Sequence, residues 1–105
     1  MTRFGLEQHI LDKIVQVLRE HPQIERAVIY GSRADGRFKP ESDIDIAIFA
    51  PTMELSEFAR LRFELCELPI VFKLDVVHVD ALENETLRRE IVTRNSEFYS
   101  VRTDR

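Results

Sequence analysis

The sequence predicts an α/β (α+β) fold in which a small mixed β-sheet has helices packed on one face. Two observations support this prediction. Short apolar runs, typical of buried strands, alternate along the chain with longer stretches whose apolar residues recur every three or four positions, as on one face of a helix. Two of the strand-like runs are interrupted by aspartate, which indicates that the other face of the sheet carries charged groups.

The length and composition are those of a small globular protein. The 105 residues suggest a single domain, residues 1–105, whose core leaves little surplus stability. A hydrophobic content of 44% and a charged content of 32% argue against a disordered chain. Every apolar run is too short to span a membrane, and the N-terminus lacks the features of a signal peptide, so no membrane association is expected.

The net charge and the cysteine content limit the kinds of partner and the cellular compartment that we expect for this chain. The formal net charge of −4 argues against duplex nucleic acid binding, which needs a basic surface to neutralise phosphates. A nucleotide that carries its own magnesium is a more compatible partner. The single cysteine, Cys66, excludes an internal disulfide and fits a reducing compartment, so we expect a cytoplasmic protein.

The first half of the chain predicts a helix, a strand and a polar loop. Apolar residues at helical spacing predict a helix from Leu6 to Glu20, which the His21-Pro22 pair ends. Residues from Glu25 to Tyr30 predict the first strand. The polar segment from Arg33 to Ser42 predicts a short helical turn followed by a loop.

A second strand and a second helix follow. The strand is predicted from Asp43 to Phe49, and Thr52 is a candidate N-cap for a helix that runs to about Glu67. Cys66 is interpreted as a buried small hydrophobe, and Phe63 as a core residue like Phe58. The predicted apolar face of this helix comprises Phe58, Leu61 and Leu65, with Leu55, Ala59, Phe63 and Cys66 beside it.

The last third predicts a strand, a helix and a short edge strand. The strand spans Val71 to Val79. Asp80, followed three residues later by a glutamate, has the spacing of a capping box for a helix near Leu82 to Arg94. A final strand from Glu97 to Val101 and a frayed tail at residues 102–105 complete the chain.

Two short motifs at a fixed separation carry the chemistry. Gly31-Ser32 directly follows an apolar strand, and Asp43 and Asp45 open the next one. Alternate side chains of a strand share a face, so the two carboxylates project to one side and Ile44 to the other. Two adjacent carboxylates repel each other unless a cation lies between them, which makes the pair a candidate divalent-metal site. The alternative is a solvated turn at the start of a strand.

Asp75 is the only acidic residue within the third apolar run. If the second and third strands are neighbours, Asp75 joins Asp43 and Asp45 on the open face. Three convergent carboxylates suit phosphoryl transfer, in which they bind the cations and one can accept a proton from the attacking hydroxyl. Gly31 permits close approach to a phosphate, and Ser32 can donate to its oxygens. The alternative is that Asp75 simply meets water.

In this chain Gly31-Ser32 is followed, after ten residues, by Asp43-x-Asp45. This arrangement resembles the signature of the DNA polymerase beta-like nucleotidyltransferase superfamily, and in particular of its minimal nucleotidyltransferase (MNT) antitoxins. The resemblance covers the chain from about Leu6 to Val101. It implies the polymerase beta-like nucleotidyltransferase fold and magnesium-dependent transfer of AMP from ATP.

The resemblance also implies roles for individual residues. Gly31 and Ser32 would bind phosphate. Asp43 and Asp45 would be catalytic metal ligands, and Asp75 the third catalytic carboxylate, as a metal ligand or a base. Arg33 follows the Gly-Ser pair and is a candidate phosphate contact, with a surface salt bridge as the alternative.

The acceptor is expected to come from a partner. Larger members of the superfamily add domains that hold the acceptor, and none is expected here. In the MNT group the partner resembles a HEPN-domain toxin, silenced by AMP transfer onto a tyrosine, by complex formation, or by both. We expect a homo- or hetero-oligomer. The alternatives are a catalytically weak module that inhibits the toxin by binding it, and a free-standing transferase that acts on a small hydroxylated molecule.

Overall fold

A four-stranded mixed sheet forms the centre of the fold. In the computed structural model the described residues are 2–39 and 41–101, and the predicted frayed tail at residues 102–105 lies outside them. No helix within the described ranges has both the length and the apolar character needed to cross a bilayer. In chain order the elements are β1 (Thr2–Arg3), β2 (Leu6–Glu7), α1 (Gln8–Arg19), β3 (Arg26–Tyr30), β4 (Ile44–Phe49), α2 (Leu55–Cys66), β5 (Leu74–His78), α3 (Glu85–Thr93) and β6 (Asn95–Ser100).

The strands of the sheet lie in the order β5-β4-β3-β6. The central strand β3 pairs antiparallel with β4 and with β6, whereas β4 pairs parallel with β5. A parallel pair needs a crossover connection, and α2 provides it here. The predicted α/β class with a small mixed sheet and the predicted edge strand, now β6, are therefore confirmed.

Helices α1 and α2 cover one face of the sheet. Ile44, Ile46 and Ile48 of β4 point to this face and are completely buried, as the alternation predicted. Leu61 and Leu65 of α2 are buried against the same layer. This face is a closed aliphatic core.

Helix α3 lies on the other face, which corrects the prediction that the helices all pack on one face. Its buried residue Ile91 packs in a second, smaller cluster with Val28, Tyr30, Ala47 and Val79. Val28 and Ala47 alternate along their strands with residues of the first face, so they point away from α1 and α2. These apolar side chains need a cover, and α3 supplies it beside the aspartates.

The first helix begins later than predicted because an N-terminal hairpin precedes it. Leu6 and Glu7 form β2 and pair antiparallel with β1. The two residues of the turn, Phe4 and Gly5, both have positive φ angles, 58° and 74°. Positive φ at both positions is the pattern of a tight hairpin turn. The helical spacing at Leu6 did not distinguish this hairpin from a first helical turn.

The predicted helix caps are wrong for α2 and α3. Helix α2 starts after Glu54 and not after Thr52. Asp80 does not cap α3, because residues Val79–Ala81 form a short 3-10 turn and its carboxylate accepts a hydrogen bond from the Ala50 amide at 2.8 Å. The N-cap of α3 is Asn84, whose side chain accepts from the Leu87 amide at 3.0 Å.

One side of α2 faces solvent, which corrects two further predictions. Phe58 is buried, as predicted, but Phe63 is 66% exposed and Leu55 is 81% exposed. Cys66 is also exposed. Only the side of α2 that meets α1 and the sheet is buried, so the wider apolar stripe predicted from the sequence is partly a surface feature.

His21 links the end of α1 to α2. Its Nδ1 lies 2.7 Å from Glu57 Oε2 and its Nε2 lies 2.7 Å from Glu64 Oε1, while the ring is 4% exposed. Burial alone lowers the pKa of His21, but the hydrogen bonds and charges of Glu64 and Glu57 outweigh it, so the net pKa is raised above 6.5. A doubly protonated ring donates to both carboxylates and joins the two helices.

Candidate active site

A tight turn at the end of β3 presents Gly31 and Ser32. Gly31–Arg33 form a single 3-10 turn, closed by a hydrogen bond from the Ala34 amide to the Gly31 carbonyl at 3.1 Å. Gly31 has a φ of 75°, in the left-handed region that favours glycine. The central strand therefore ends in a turn that only glycine enters without strain, and Ser32 follows at once.

Gly31 lies directly against Asp45. A Cβ atom added to Gly31 would lie 2.8 Å from Asp45 Oδ2, closer than a carbon atom can approach without displacing its neighbour. The close approach follows from the antiparallel pairing of β3 with β4, in which Ile29 is opposite Ile46. The two halves of the sequence motif are thus neighbours in space, and the absence of a side chain at Gly31 makes room for the carboxylate.

Asp75 lies beside Asp45 on the sheet. The two residues are register partners in the parallel pair of β4 and β5, so their side chains are on the same face. Asp43 immediately precedes β4. Asp43 and Asp75 are exposed and Asp45 is partly buried. The second and third strands predicted from the sequence, here β4 and β5, are neighbours, so the condition for Asp75 to join Asp45 is met.

Negative charge accumulates around Asp45. Burial, together with the charges of Asp75, Asp43 and Glu90, raises the pKa of Asp45, and the charge of Arg33 opposes the rise only in part. Burial and the charges of Asp45, Asp75 and Glu90 likewise raise the pKa of the Tyr30 hydroxyl. Burial is the largest cause of both shifts, and the contribution of the neighbouring charges adds to it because the carboxylates lie close to both groups.

The donor set fits a hard divalent cation. Carboxylate oxygens are the ligands such ions prefer. A cation between Asp43, Asp45 and Asp75 would relieve the charge repulsion that adds to burial in raising the pKa of Asp45. Among residues 2–39 and 41–101, however, no three His, Cys, Asp or Glu side chains are yet arranged so that they could hold a metal ion. Asp43, Asp45 and Asp75 therefore suit a divalent cation by their chemistry and by their positions on the sheet.

Arg33 is buried, so the predicted surface salt bridge is wrong. Its side chain is 2% exposed. Its Nη1 donates to the Phe4 carbonyl at 2.9 Å and its Nη2 donates to the Ser42 carbonyl at 2.8 Å. Burial lowers the pKa of the guanidinium, and the nearby charge of Asp45 raises it. The predicted phosphate contact stays a prediction.

Two residues at the site were not predicted from the sequence. Glu90 of α3 is exposed and acts electrostatically on both Asp45 and Tyr30. The sequence contains no signal for it, because the position of α3 on the aspartate face is set by packing. Tyr30 is 6% exposed and belongs to the cluster under α3. The alternation of side chains along the strand could have indicated Tyr30, because it directly precedes Gly31 and points to the same face as Asp45.

The sequence matches the protein family described as polymerase beta, nucleotidyltransferase over residues 12–104. No curated protein is significantly similar to it in sequence.

Solved structures with a similar fold come from toxin–antitoxin complexes. A chain of a toxin–antitoxin complex with AMP-PNP has a TM-score of 0.70 at 25% identity, covering 90% of this chain and 76% of that chain. A chain of the MntA–HepT complex has a TM-score of 0.67 at 23% identity, covering 93% and 76%. A chain of the complex of tri-AMPylated Shewanella oneidensis HEPN toxin with MNT antitoxin has a TM-score of 0.68 at 23% identity, covering 94% and 76%.

Proposed function

This chain belongs to the polymerase beta nucleotidyltransferase family, and from that premise we propose that it transfers AMP from ATP to a partner protein with Mg²⁺ as cofactor. The partner is a HEPN-domain toxin, and the chain is its antitoxin. The similar structures support this role, because one contains an ATP analogue and another an AMPylated HEPN toxin. We place the activity in the cytoplasm, where ATP is available.

One observation carries the proposal. The Gly31-Ser32 turn lies against Asp45, and Asp45 lies in register beside Asp75. Groups that suit a phosphate and groups that suit its cation therefore meet at one edge of the sheet. A solvated turn at the start of β4 would not require glycine at the point of contact.

Each residue has a role in this proposal. Asp43, Asp45 and Asp75 would hold Mg²⁺, which would neutralise triphosphate oxygens and align the reacting groups. The backbone and hydroxyl of Ser32 donate to phosphate oxygens, and Gly31 leaves the space for them to approach.

The transfer is a displacement at the α-phosphorus of ATP. A tyrosine hydroxyl of the partner forms a new oxygen–phosphorus bond, the bond to the β-phosphate breaks, and pyrophosphate leaves. The proton of the hydroxyl passes to a carboxylate, for which Asp75 is the candidate because it is exposed on the open face.

The proposal is tested with ATP labelled at the α-phosphate and a co-purified HEPN partner. We expect label on a partner tyrosine, and loss of transfer by more than about 10³-fold in the Asp43→Asn, Asp45→Asn double variant because both charges that attract the cation are lost. The matched control is Asp12→Asn with Glu20→Gln, which removes two exposed carboxylates from the α1 region. If the Asp double variant binds Mg–ATP as well as the wild type does, the carboxylate assignment is wrong.

The second candidate function is stoichiometric inhibition of the toxin. The similar structures favour it, since they are complexes of toxin with antitoxin. A tight complex that inhibits the toxin, carries no label after incubation with ATP and tolerates the Asp double variant would identify this function instead.

A further inference from the structure

Arg33 is the largest fully buried side chain among the described residues, and it is charged. Burying a cation in a protein core is costly unless its donors are satisfied and compensating charges are near. A turn that only needed to present Gly31 and Ser32 would not require this side chain. The burial of the guanidinium therefore indicates that this side chain has a role beyond completing the turn.

The contacts of Arg33 offset part of the cost of its burial. Nη1 and Nη2 donate to two backbone carbonyls, those of Phe4 and Ser42. The guanidinium carbon lies 4.9 Å from the centroid of the Phe38 ring and 5.1 Å from that of the Phe72 ring, within cation–π range. A planar fork of donors suits this arrangement, in which two acceptors must be bound in different directions.

These contacts join the segments that carry the proposed site. Arg33 directly follows Ser32 in the 3-10 turn, and Ser42 directly precedes Asp43. Phe72 lies just before β5, the strand of Asp75. The guanidinium thus connects the turn that carries Ser32 to the residue before Asp43, and it also contacts Phe72, three residues before Asp75.

The N-terminal hairpin supports Arg33 from the opposite side. A Cβ atom added to Gly5 would lie 2.1 Å from Phe38 Cε2 and 3.1 Å from Arg33 Nη1. The turn of the hairpin is therefore packed against the guanidinium and one of its rings. This packing places the Phe4 carbonyl where it accepts from Nη1.

We propose that Arg33 is a positioning residue that fixes the Gly31-Ser32 turn relative to Asp43 and Asp45 through the Ser42 carbonyl, without contacting the substrate. The inference rests on the proposed function and deepens it. Displacement of reacting groups by about 1 Å lowers a rate by about 10²-fold, so a residue that holds two binding segments in place has a kinetic effect without touching the nucleotide.

The test compares Arg33→Lys with Arg33→Met, and uses Arg62→Lys and Arg62→Met on the exposed side of α2 as matched controls. A lysine keeps the charge but cannot bind both carbonyls as the fork does. We expect both Arg33 variants to lower the transfer rate at saturating ATP by about 10²-fold, with a smaller change in KM. A phosphate contact would instead let lysine retain most of the affinity for Mg–ATP.

Amide hydrogen exchange in the absence of nucleotide tests the proposal without any activity. The Arg37 amide donates to the Ser32 carbonyl and the Ile44 amide donates to the Lys73 carbonyl, so both report on the joined segments. We expect exchange at these amides to become at least about ten-fold faster in both Arg33 variants. The Glu67 amide, which donates to Phe63 at the end of α2, should not change.

The outcomes separate the two proposals. A wild-type protein that transfers no label contradicts the proposed function, while accelerated exchange in Arg33→Lys still supports the positioning role. Exchange at wild-type rates, together with Mg–ATP affinity retained by Arg33→Lys and lost by Arg33→Met, overturns it. If Arg33→Met does not fold, Arg33→Lys and Phe72→Leu, which removes one ring and no charge, decide the question by the same exchange measurement.

Discussion

The two faces of the sheet differ in composition although the same strands build both. On the face covered by α1 and α2, Ile44, Ile46 and Ile48 of β4 are completely buried. On the other face, α3 covers a small apolar cluster, and Asp45 and Asp75 occupy the adjacent part of the sheet. A step of one residue along β4 passes from one environment to the other.

The main source of stability and the proposed site of catalysis therefore lie on opposite faces of the sheet. The aliphatic face gains free energy from burial of apolar surface. On the aspartate face, burial and the neighbouring like charges raise the pKa of Asp45, so the ionised carboxylate opposes folding. Burial on the aliphatic face therefore offsets the destabilisation caused by the aspartate face. Adjacent residues of β4 should consequently respond to mutation in opposite directions.

The largest expected effect comes from the aliphatic face. Ile46→Ala should lower the free energy of unfolding by about 2–5 kcal/mol, because it removes a completely buried side chain and leaves a cavity. Denaturant unfolding measures the loss, and Val71→Ala, at a position that is 93% exposed, serves as the control. A loss below about 1 kcal/mol would show that this face is not the main source of stability.

The contact between α1 and α2 above that face should depend on pH. The folded-state pKa of His21 is raised above 6.5, so its contribution is complete below about pH 6.5 and is lost as the pH rises through the folded-state pKa. His21→Gln should lower stability at pH 6 by about 1–3 kcal/mol, since two hydrogen bonds to carboxylates are weakened.

Stability measured from pH 6 to pH 9 tests the role of His21. The wild type should lose stability over this range, and His21→Gln should lose less. His9→Gln, on the exposed side of α1, should follow the wild-type curve. Parallel curves for the wild type and His21→Gln would contradict a charged bridge between the helices.

On the aspartate face, Asp45→Asn should raise stability by up to about 1 kcal/mol while it removes transfer activity. The reason is that the amide carries no charge to be repelled by Asp75, Asp43 and Glu90. Thermal unfolding at pH 7 without divalent ions measures the change, with Asp12→Asn as the control. A decrease in stability would mean that Asp45 makes favourable contacts that outweigh the repulsion.

The smallest effect is expected on the exposed side of α2. Phe63→Ser should change the free energy of unfolding by no more than about 0.5 kcal/mol, because the ring is 66% exposed. Phe58→Ser, five residues earlier and buried, should lower the free energy of unfolding by several kcal/mol. Equal losses for the two variants would show that the solvent-facing side of α2 is packed in solution.

Features set by local periodicity could be predicted from the sequence. The alternation in β4 assigned Ile46 to the core and Asp45 to the open face, because every second residue of a strand has the same environment. The apolar runs around Asp45 and Asp75 indicated two strands, and their pairing brings the two residues into register. The roles of Asp43, Asp45, Asp75, Gly31 and Ser32 in catalysis stay predictions.

Features set by contacts between distant segments could not be predicted. Arg33 is buried because the carbonyls of Phe4 and Ser42 provide acceptors. No spacing in the sequence indicates that these residues lie near Arg33. Asp80 has the spacing of a capping residue, yet its carboxylate binds the amide of Ala50, which a neighbouring loop brings near. Helix periodicity likewise shows how wide an apolar stripe is, but not how much of the stripe is buried against another element.

The position of β3 in the sheet has a consequence for biosynthesis. β3, which leads into Gly31, is flanked by β4 on one side and by β6 on the other, with Tyr30 paired to Asn95. Because β6 is the last of the described strands to be translated, the sheet beneath the Gly31-Ser32 turn can close only after nearly all of the described residues have left the ribosome. A nascent chain that already contains every proposed catalytic residue still lacks the strand that holds their scaffold together. Maturation of the site is therefore tied to completion of translation through Ser100.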